Sequence, residues 1–217
     1  MANNVNVNVE FRNLNEAGKA MLEEMYSRVR PYSKNHAYEW FSDIWVDGKE
    51  GSPTYDITDT YEWTTEHIGP KWSYFDEFDN DSTDGASFKL TCAWSYPEIG
   101  LEWIVKKLGE VNPKIIALVT YEDEMPNQYG CSIFTSDGIW EAMEWDYDEL
   151  IENLHIIYPE LLKLKNEDVD GDDSDEYNEF KYEVMYEYMS EKQWELLNEW
   201  VEYINETIHD KNANIIN

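Results

Sequence analysis

Near its start the chain alternates apolar and polar residues without a break: Val5, Val7, Val9 and Phe11 against Asn4, Asn6, Asn8 and Glu10. A period of two puts one set on each side of an extended strand. A strand of this kind buries one face only, so the chain is committed from its first residues to a sheet with one covered side. A helix is expected next. Asn13 precedes it, Glu16 stands at a capping-box position, and Ala17, Met21, Leu22, Met25 and Val29 recur at helical spacing until Pro31.

Residues 31–60 are irregular but carry Tyr38, Trp40, Phe41 and Trp45, too much apolar side chain for a free linker, and read as a packed insertion. Residues 61–68 read as a strand closed by Gly69-Pro70, residues 76–86 as an acidic turn, and residues 87–95 as a strand. A helix is expected from Pro97 through Leu101, Ile104, Val105 and Leu108, then a strand over 114–121. Residues 127–140 read as a hairpin turning at Asp137-Gly138. A third helix is expected over 148–165, with Pro159 as a kink point, and one or two more over 176–210. There Ser190 and Gln193 form a capping box, and Trp194, Leu197, Val201 and Ile204 line one face. This order of elements predicts an α+β fold, a ferredoxin-like sheet with helices on one face, extended by a hairpin and C-terminal helices. The expected division is an α+β domain over 1–147, with its insertion at 31–60, and an acidic helical extension over 148–217.

Charge narrows the partners. Across 217 residues, 47 Asp and Glu stand against 16 Lys and Arg, for a net charge of −31. No basic patch interrupts this, so direct binding to nucleic acid or to an anionic membrane is not expected. No apolar run approaches the roughly 18 residues of a membrane span. The opening Met1-Ala2-Asn3-Asn4 lacks a signal-peptide pattern, and a soluble cytoplasmic protein is expected. Cys92 and Cys131 each sit in an apolar, strand-like run far from the other, and both are expected to be reduced, buried thiols.

Three short stretches carry a resemblance. Residues 63–74, with Gly69-Pro70-Lys71-Trp72 at their centre, resemble the G-x-K-W segment of the YubB-type ferredoxin-like domain family of phage and plasmid proteins. Cys92-Ala93-Trp94-Ser95-Tyr96-Pro97 is similar to its A-W-S-x-P segment, with Tyr96 where the family often has proline. Tyr121-Glu122-Asp123-Glu124 and the later Gly130-Cys131 are similar to its acidic turn before a glycine. The resemblance covers about residues 1–140. It implies a ferredoxin-like fold and a mobile-element origin, but no catalytic residues and no iron–sulfur cluster, for which two separated cysteines are too few.

Few residues invite chemistry. Glu122, Asp123 and Glu124 have the composition of paired carboxylates for acid–base work, but in so acidic a chain a solvated turn is the plainer reading. Residues 166–177 suggest a calcium loop. With Gly171 at position six, Asn166, Asp168 and Asp170 fall at one, three and five, with Asp172 following, yet position twelve is Tyr177 rather than the bidentate glutamate. His36, His67, His155 and His209 are scattered, with no metal-binding spacing, and a structural hydrogen bond is expected for His67. Trp63, Trp72, Tyr74 and Trp94 have the makings of a base-stacking platform, but acidic surroundings favour a packing role. No nucleophile elbow, Walker loop or dinucleotide fingerprint appears. No cofactor is expected.

Acidity then becomes the leading functional feature. The expectation is a non-enzymatic, phage-type protein that binds a basic host protein, one that itself binds nucleic acid. It would inhibit that protein, in a host-defence setting, by presenting carboxylates in place of phosphates. The candidate contact residues are Glu122, Asp123, Glu124, Asp168, Asp170, Asp172, Asp173, Asp175, Trp72 and Tyr74. Two other classes stay open. One is a metal-dependent hydrolase using Glu66, His67, Glu122 and Glu124. The other is a structural or assembly protein that self-associates, for instance as a homodimer.

Overall fold

The computed structural model describes residues 3–29, 39–45, 61–82, 85–124, 128–167 and 175–213. Among the described residues it is mixed α/β, with a seven-stranded antiparallel open sheet and six helices. In chain order these are β1 (Asn4–Arg12), α1 (Glu16–Tyr26), β2 (Glu39–Trp40), a 3-10 turn (Phe41–Trp45) and α2 (Tyr61–His67). Next come β3 (Ser73–Asp79), β4 (Ala86–Ala93), α3 (Glu98–Gly109), β5 (Ile116–Asp123), β6 (Tyr129–Thr135) and β7 (Gly138–Trp145). The chain closes with α4 (Tyr147–Ile157), α5 (Pro159–Glu167) and α6 (Asp175–Ala213). The strand order is β2-β3-β4-β1-β5-β6-β7.

β1 lies between β4 and β5 and pairs antiparallel with both, Val7 opposite Leu90 on one side and Tyr121 on the other. Its alternation works as the sequence implies. Val5, Val7, Val9 and Phe11 are buried, while Asn6 and Asn8 are exposed on the opposite face. The buried set packs with Phe88 and Leu90 of β4, Ala117 and Val119 of β5, Leu22 and Met25 of α1, and Leu101, Ile104 and Leu108 of α3. Burying a side chain of this size contributes about 1.5–3 kcal/mol, so this cluster dominates the stability of its unit.

Local chemistry explains most element ends. α1 starts two residues later than Asn13 suggests. Asn15 caps it by accepting from Gly18 N at 2.7 Å, while Asn13 takes a left-handed φ of 59° that asparagine tolerates. α1 also stops before Pro31, at Tyr26. The acidic run 76–79, expected in a turn, is the second half of β3. A bulge between Phe75 and Glu77 shifts the pairing there, so Phe75 faces Leu90 and Phe78 faces Phe88. Both rings then meet Tyr26 of α1, Phe75 edge-on at 5.2 Å and Phe78 stacked at 4.1 Å. Residues 61–67, expected in a strand, form α2.

Two compact units divide the chain: residues 1–126 with 130–143, and residues 127–129 with 144–217. The second has its own core of Leu150, Leu154, Leu161, Tyr177, Val184, Met185 and Met189, joined by Tyr129. The expected single helix over 148–165 is two, α4 and α5, separated at Tyr158 just before Pro159. α6 runs unbroken for 39 residues. The capping box expected at Ser190 and Gln193 therefore does not form. Ser190 is exposed in mid-helix and Gln193 is buried. The part of the 31–60 insertion outside residues 39–45 lies beyond the described residues. Within them, Phe41 and Ile44 are buried in the first core, as a packed insertion requires.

Candidate functional site

The first two stretches that carry the resemblance are 18 positions apart in sequence and adjacent in the fold. Thr64 Oγ1 donates to Lys71 O at 2.9 Å, and Ala93 N donates to Trp72 O at 3.0 Å. A Cβ on Gly69 would lie 3.7 Å from Tyr96 O. Gly69 has a φ of 115°, a conformation open to glycine and strained for any other residue. At this junction Trp94 is 47% exposed and also left-handed, with a φ of 70°. Its N–H donates to Asn3 O at 2.9 Å, which holds the backbone in place. A bulky side chain in this region is a conformational outlier. The Lys71 ammonium lies 5.3 Å from the centre of the Trp94 ring and 5.8 Å from that of Tyr61, which is 58% exposed.

Beside this junction the sheet face opposite the first core presents a register row. Trp40 pairs with Tyr74, Tyr74 with Thr91, Thr91 with Asn6, and Asn6 with Glu122. Trp72 and Tyr74 stack at 5.6 Å with 15° between their planes, and both are half-buried. Thr91 Oγ1 donates to Asp76 at 2.7 Å. Lys89 is held by Glu77 at 2.6 Å, and its pKa is raised by that hydrogen bond and charge.

The acidic triplet is not a solvated turn. Glu122 and Asp123 end β5, and the three carboxylates have three environments. Asp123 is fully buried and accepts from the Asn3 amide. Glu124 accepts from Asn4 N and Asn4 Nδ2, both at 3.1 Å. Glu122 is half-buried on the face opposite the first core, where Leu118 and Thr120 of the same strand are buried. Burial, with the Asp123 charge second, raises its pKa above the ordinary glutamate value. Asp123 therefore presents no surface to a partner, while Glu122 and Glu124 do. Glu66 and His67 are exposed on α2. The His67 ring stacks on Trp63 at 4.6 Å, with Nδ1 3.1 Å from Trp63 O, the structural hydrogen bond expected for it. No three His, Cys, Asp or Glu among the described residues are grouped so as to hold a metal.

Asp168, Asp170, Asp172 and Asp173 of the calcium-loop reading lie outside the described residues, and Asp175 is the first residue of α6. Cys92 and Cys131 are free, buried thiols, each pushed up to about 12 by burial. Beside Cys131, a Cβ on Gly130 would come within 2.1 Å of the Tyr121 hydroxyl, so this glycine is a steric requirement. No described helix is long and apolar enough to cross a membrane.

One feature escaped a reading at helical periodicity. α6 repeats every four residues. Tyr177, Lys181, Met185, Met189, Gln193 and Leu197 are buried, and Glu179, Glu183, Glu187, Glu191, Glu195 and Glu199 are all exposed two places later. Four residues advance the helix by about 6 Å and turn it about 40° past a full circle. Both stripes therefore wind around the helix together, and no fixed face appears at a period of 3.6. Glu202 and Glu206 continue the exposed acids, and Tyr182, Tyr186 and Tyr203 are exposed among them. The strict spacing of four was the available signal. Comparison with known proteins adds nothing to this geometry: no family model, curated protein or solved structure matches the chain.

Proposed function

We propose that this chain is an acidic binding protein that docks onto the cationic, nucleic-acid-binding surface of another protein and blocks it by charge mimicry. The observation that carries the reading is the exposed glutamate series of α6. Between residues 177 and 207 that helix has eight glutamates, all exposed, against Lys181, which is buried, and Lys192, which is paired with Glu195. Like charges four apart destabilise a helix by about 0.2–0.5 kcal/mol per pair. A helix that keeps a run of such pairs presents a line of negative charge at about 6 Å intervals on a stiff support. Duplex DNA carries a charge every 1.7 Å or so, and a carboxylate line competes for the same lysines and arginines. Tyr182, Tyr186 and Tyr203 add the aromatic anchors that charge alone does not supply.

The setting, inhibition of a host defence protein by a mobile element, follows from the resemblance to YubB-type domains. The sheet supports the same family reading. The connectivity β1-α1-β3-β4-α3-β5 with spatial order β3-β4-β1-β5 is the arrangement a ferredoxin-like core requires.

The test is displacement. A lysine-rich DNA-binding protein is loaded with a labelled duplex and titrated with the chain. The expected result is release of the duplex with an affinity that weakens steeply between 50 and 300 mM salt, about a Debye-screening effect. The triple variant Glu183→Lys, Glu187→Lys, Glu191→Lys should lose displacement at least tenfold. Salt-independent displacement, or a triple variant as potent as the parent, ends the proposal.

A further inference from the structure

An exposed lysine in a chain of 47 acids should find a carboxylate. Lys71 does not. Among the described residues it has no ion pair, and its ammonium stands over the rings of Trp94 and Tyr61. Both rings are exposed, so the arrangement is not a product of core packing. The distances of 5.3 and 5.8 Å lie near the outer limit of about 6 Å for a cation–π contact, so the lysine is loosely held. Trp94 is also kept in a left-handed conformation that glycine would adopt without strain, by a backbone bond to Asn3 that any residue could make. Strain at an exposed aromatic, maintained by backbone geometry, is the pattern of a positioned recognition group.

From these observations we infer that Trp94 and Tyr61 form a recognition site for a cationic side chain of a partner protein, and that Lys71 is its displaceable internal occupant. An incoming arginine takes the place of the Lys71 ammonium over the rings. Its planar, weakly hydrated guanidinium stacks on an aromatic face better than a compact ammonium does. The released Lys71 returns to water in a strongly negative environment, at little cost. The inference rests on reading the chain as a binder of cationic protein surfaces, but uses groups remote in sequence from the α6 glutamates.

The test follows the Trp94 indole N–H signal by NMR in the full chain, assigned by its disappearance in Trp94→Gly. The probe is a capped Ala-Ala-Arg-Ala-Ala peptide. Controls are the same peptide with citrulline for arginine, which keeps the shape and removes the charge, and tetramethylammonium, which supplies a cation without a peptide. A saturable shift with the arginine peptide and at least a threefold smaller response to citrulline supports the site. Lys71→Met, which removes the competing charge and keeps the stem, should tighten arginine binding at least threefold. Trp94→Gly, followed by calorimetric titration with the same peptide because the reporter signal is gone, should bind arginine at least tenfold more weakly while its melting temperature rises, a combination that a merely structural tryptophan does not give. A lower melting temperature in Trp94→Gly, equal response to citrulline, or unchanged binding in Lys71→Met overturns the inference. A response to tetramethylammonium alone overturns the assignment to a protein side chain. If the arginine peptide fails while the α6 reversals still weaken duplex displacement, the site falls and the docking proposal stands.

Discussion

The two units solve the same problem, folding under excess negative charge, in different ways. Residues 1–143 carry 25 acids and 11 bases, a net charge of −14, while residues 144–217 carry 22 and 5, a net −17 in about half the length. The first unit bonds its acids to neighbours: Asp123 to Asn3, Glu124 to Asn4, Glu77 to Lys89, Glu102 to Lys106. The second lines its glutamates along the exposed side of one helix, with Lys192 and Glu195 the pair seen within it. In the first unit these acids are tied into the structure, and in the second the α6 glutamates are displayed. The stability of the first should therefore respond to packing and that of the second to electrostatics as well.

The largest expected effects come from the cores, and they test whether the two clusters are separate. Ile104 and Leu154 are both fully buried, one in each. Ile104→Ala and Leu154→Ala should each cost about 2–5 kcal/mol. Native-state hydrogen exchange should show the difference in place. Ile104→Ala should speed exchange in β1, β4, β5 and α3, and Leu154→Ala in α4, α5 and α6. Equal acceleration everywhere in both variants would merge the two units into one cooperative body.

A smaller effect sharpens the electrostatic half. Glu183 lies one turn from Glu179 and one from Glu187. Glu183→Lys converts two repulsive i,i+4 pairs into two attractive ones and should stabilise α6 by about 1 kcal/mol. The same change should weaken displacement of DNA from a basic protein, so stability and binding move in opposite directions. Raising salt from 50 to 500 mM should slow amide exchange in α6 and leave β1 nearly unchanged. A salt response equal in β1 and α6 would erase the contrast.

What the sequence revealed follows the same division. β1 was legible because a strand with one buried face writes its period directly into Val5, Val7, Val9 and Phe11. β3 was not, because the bulge at Asp76 breaks the alternation at the point where the acids begin, leaving a strand that looks like a turn. α2 was misread because Thr64 and Thr65 carry strand propensity. In the fold their hydroxyls bond back to Tyr61 O at 3.1 and 2.9 Å, and Thr64 also reaches Lys71. α6 hid its design in a period of four, which a search at 3.6 blurs. Trp72, Lys71 and Trp94 could be singled out as motif residues, but their meeting is a fact of tertiary structure, and Tyr61 carried no signal at all. The triplet at 122–124 was visible as a cluster. Its division into one buried, one amide-bound and one half-buried carboxylate depends on Asn3, Asn4 and Asn6, more than 110 residues away.

The smallest effect probes the point where the first unit stops absorbing charge. Glu122 is half-buried on the sheet face opposite the first core, and its raised pKa, from burial first and Asp123 second, means the fold holds the proton more tightly than the unfolded chain does. The folded state then holds a proton that the unfolded chain has released. In the window between the ordinary glutamate value and the raised one, stability falls as pH increases. Below the ordinary value both states are protonated and the penalty vanishes. Glu122→Gln removes the titration while keeping the shape. It should stabilise the protein at pH 7 by about 0.5 kcal/mol, the ordinary scale for a substitution outside the core, and should make no difference at pH 3.5. Chemical denaturation of both proteins at the two pH values measures this. A glutamine variant that is less stable at pH 7 would mean that the Glu122 carboxylate is held by a favourable contact. This face would then manage its charge as Asp123 does at the end of β5.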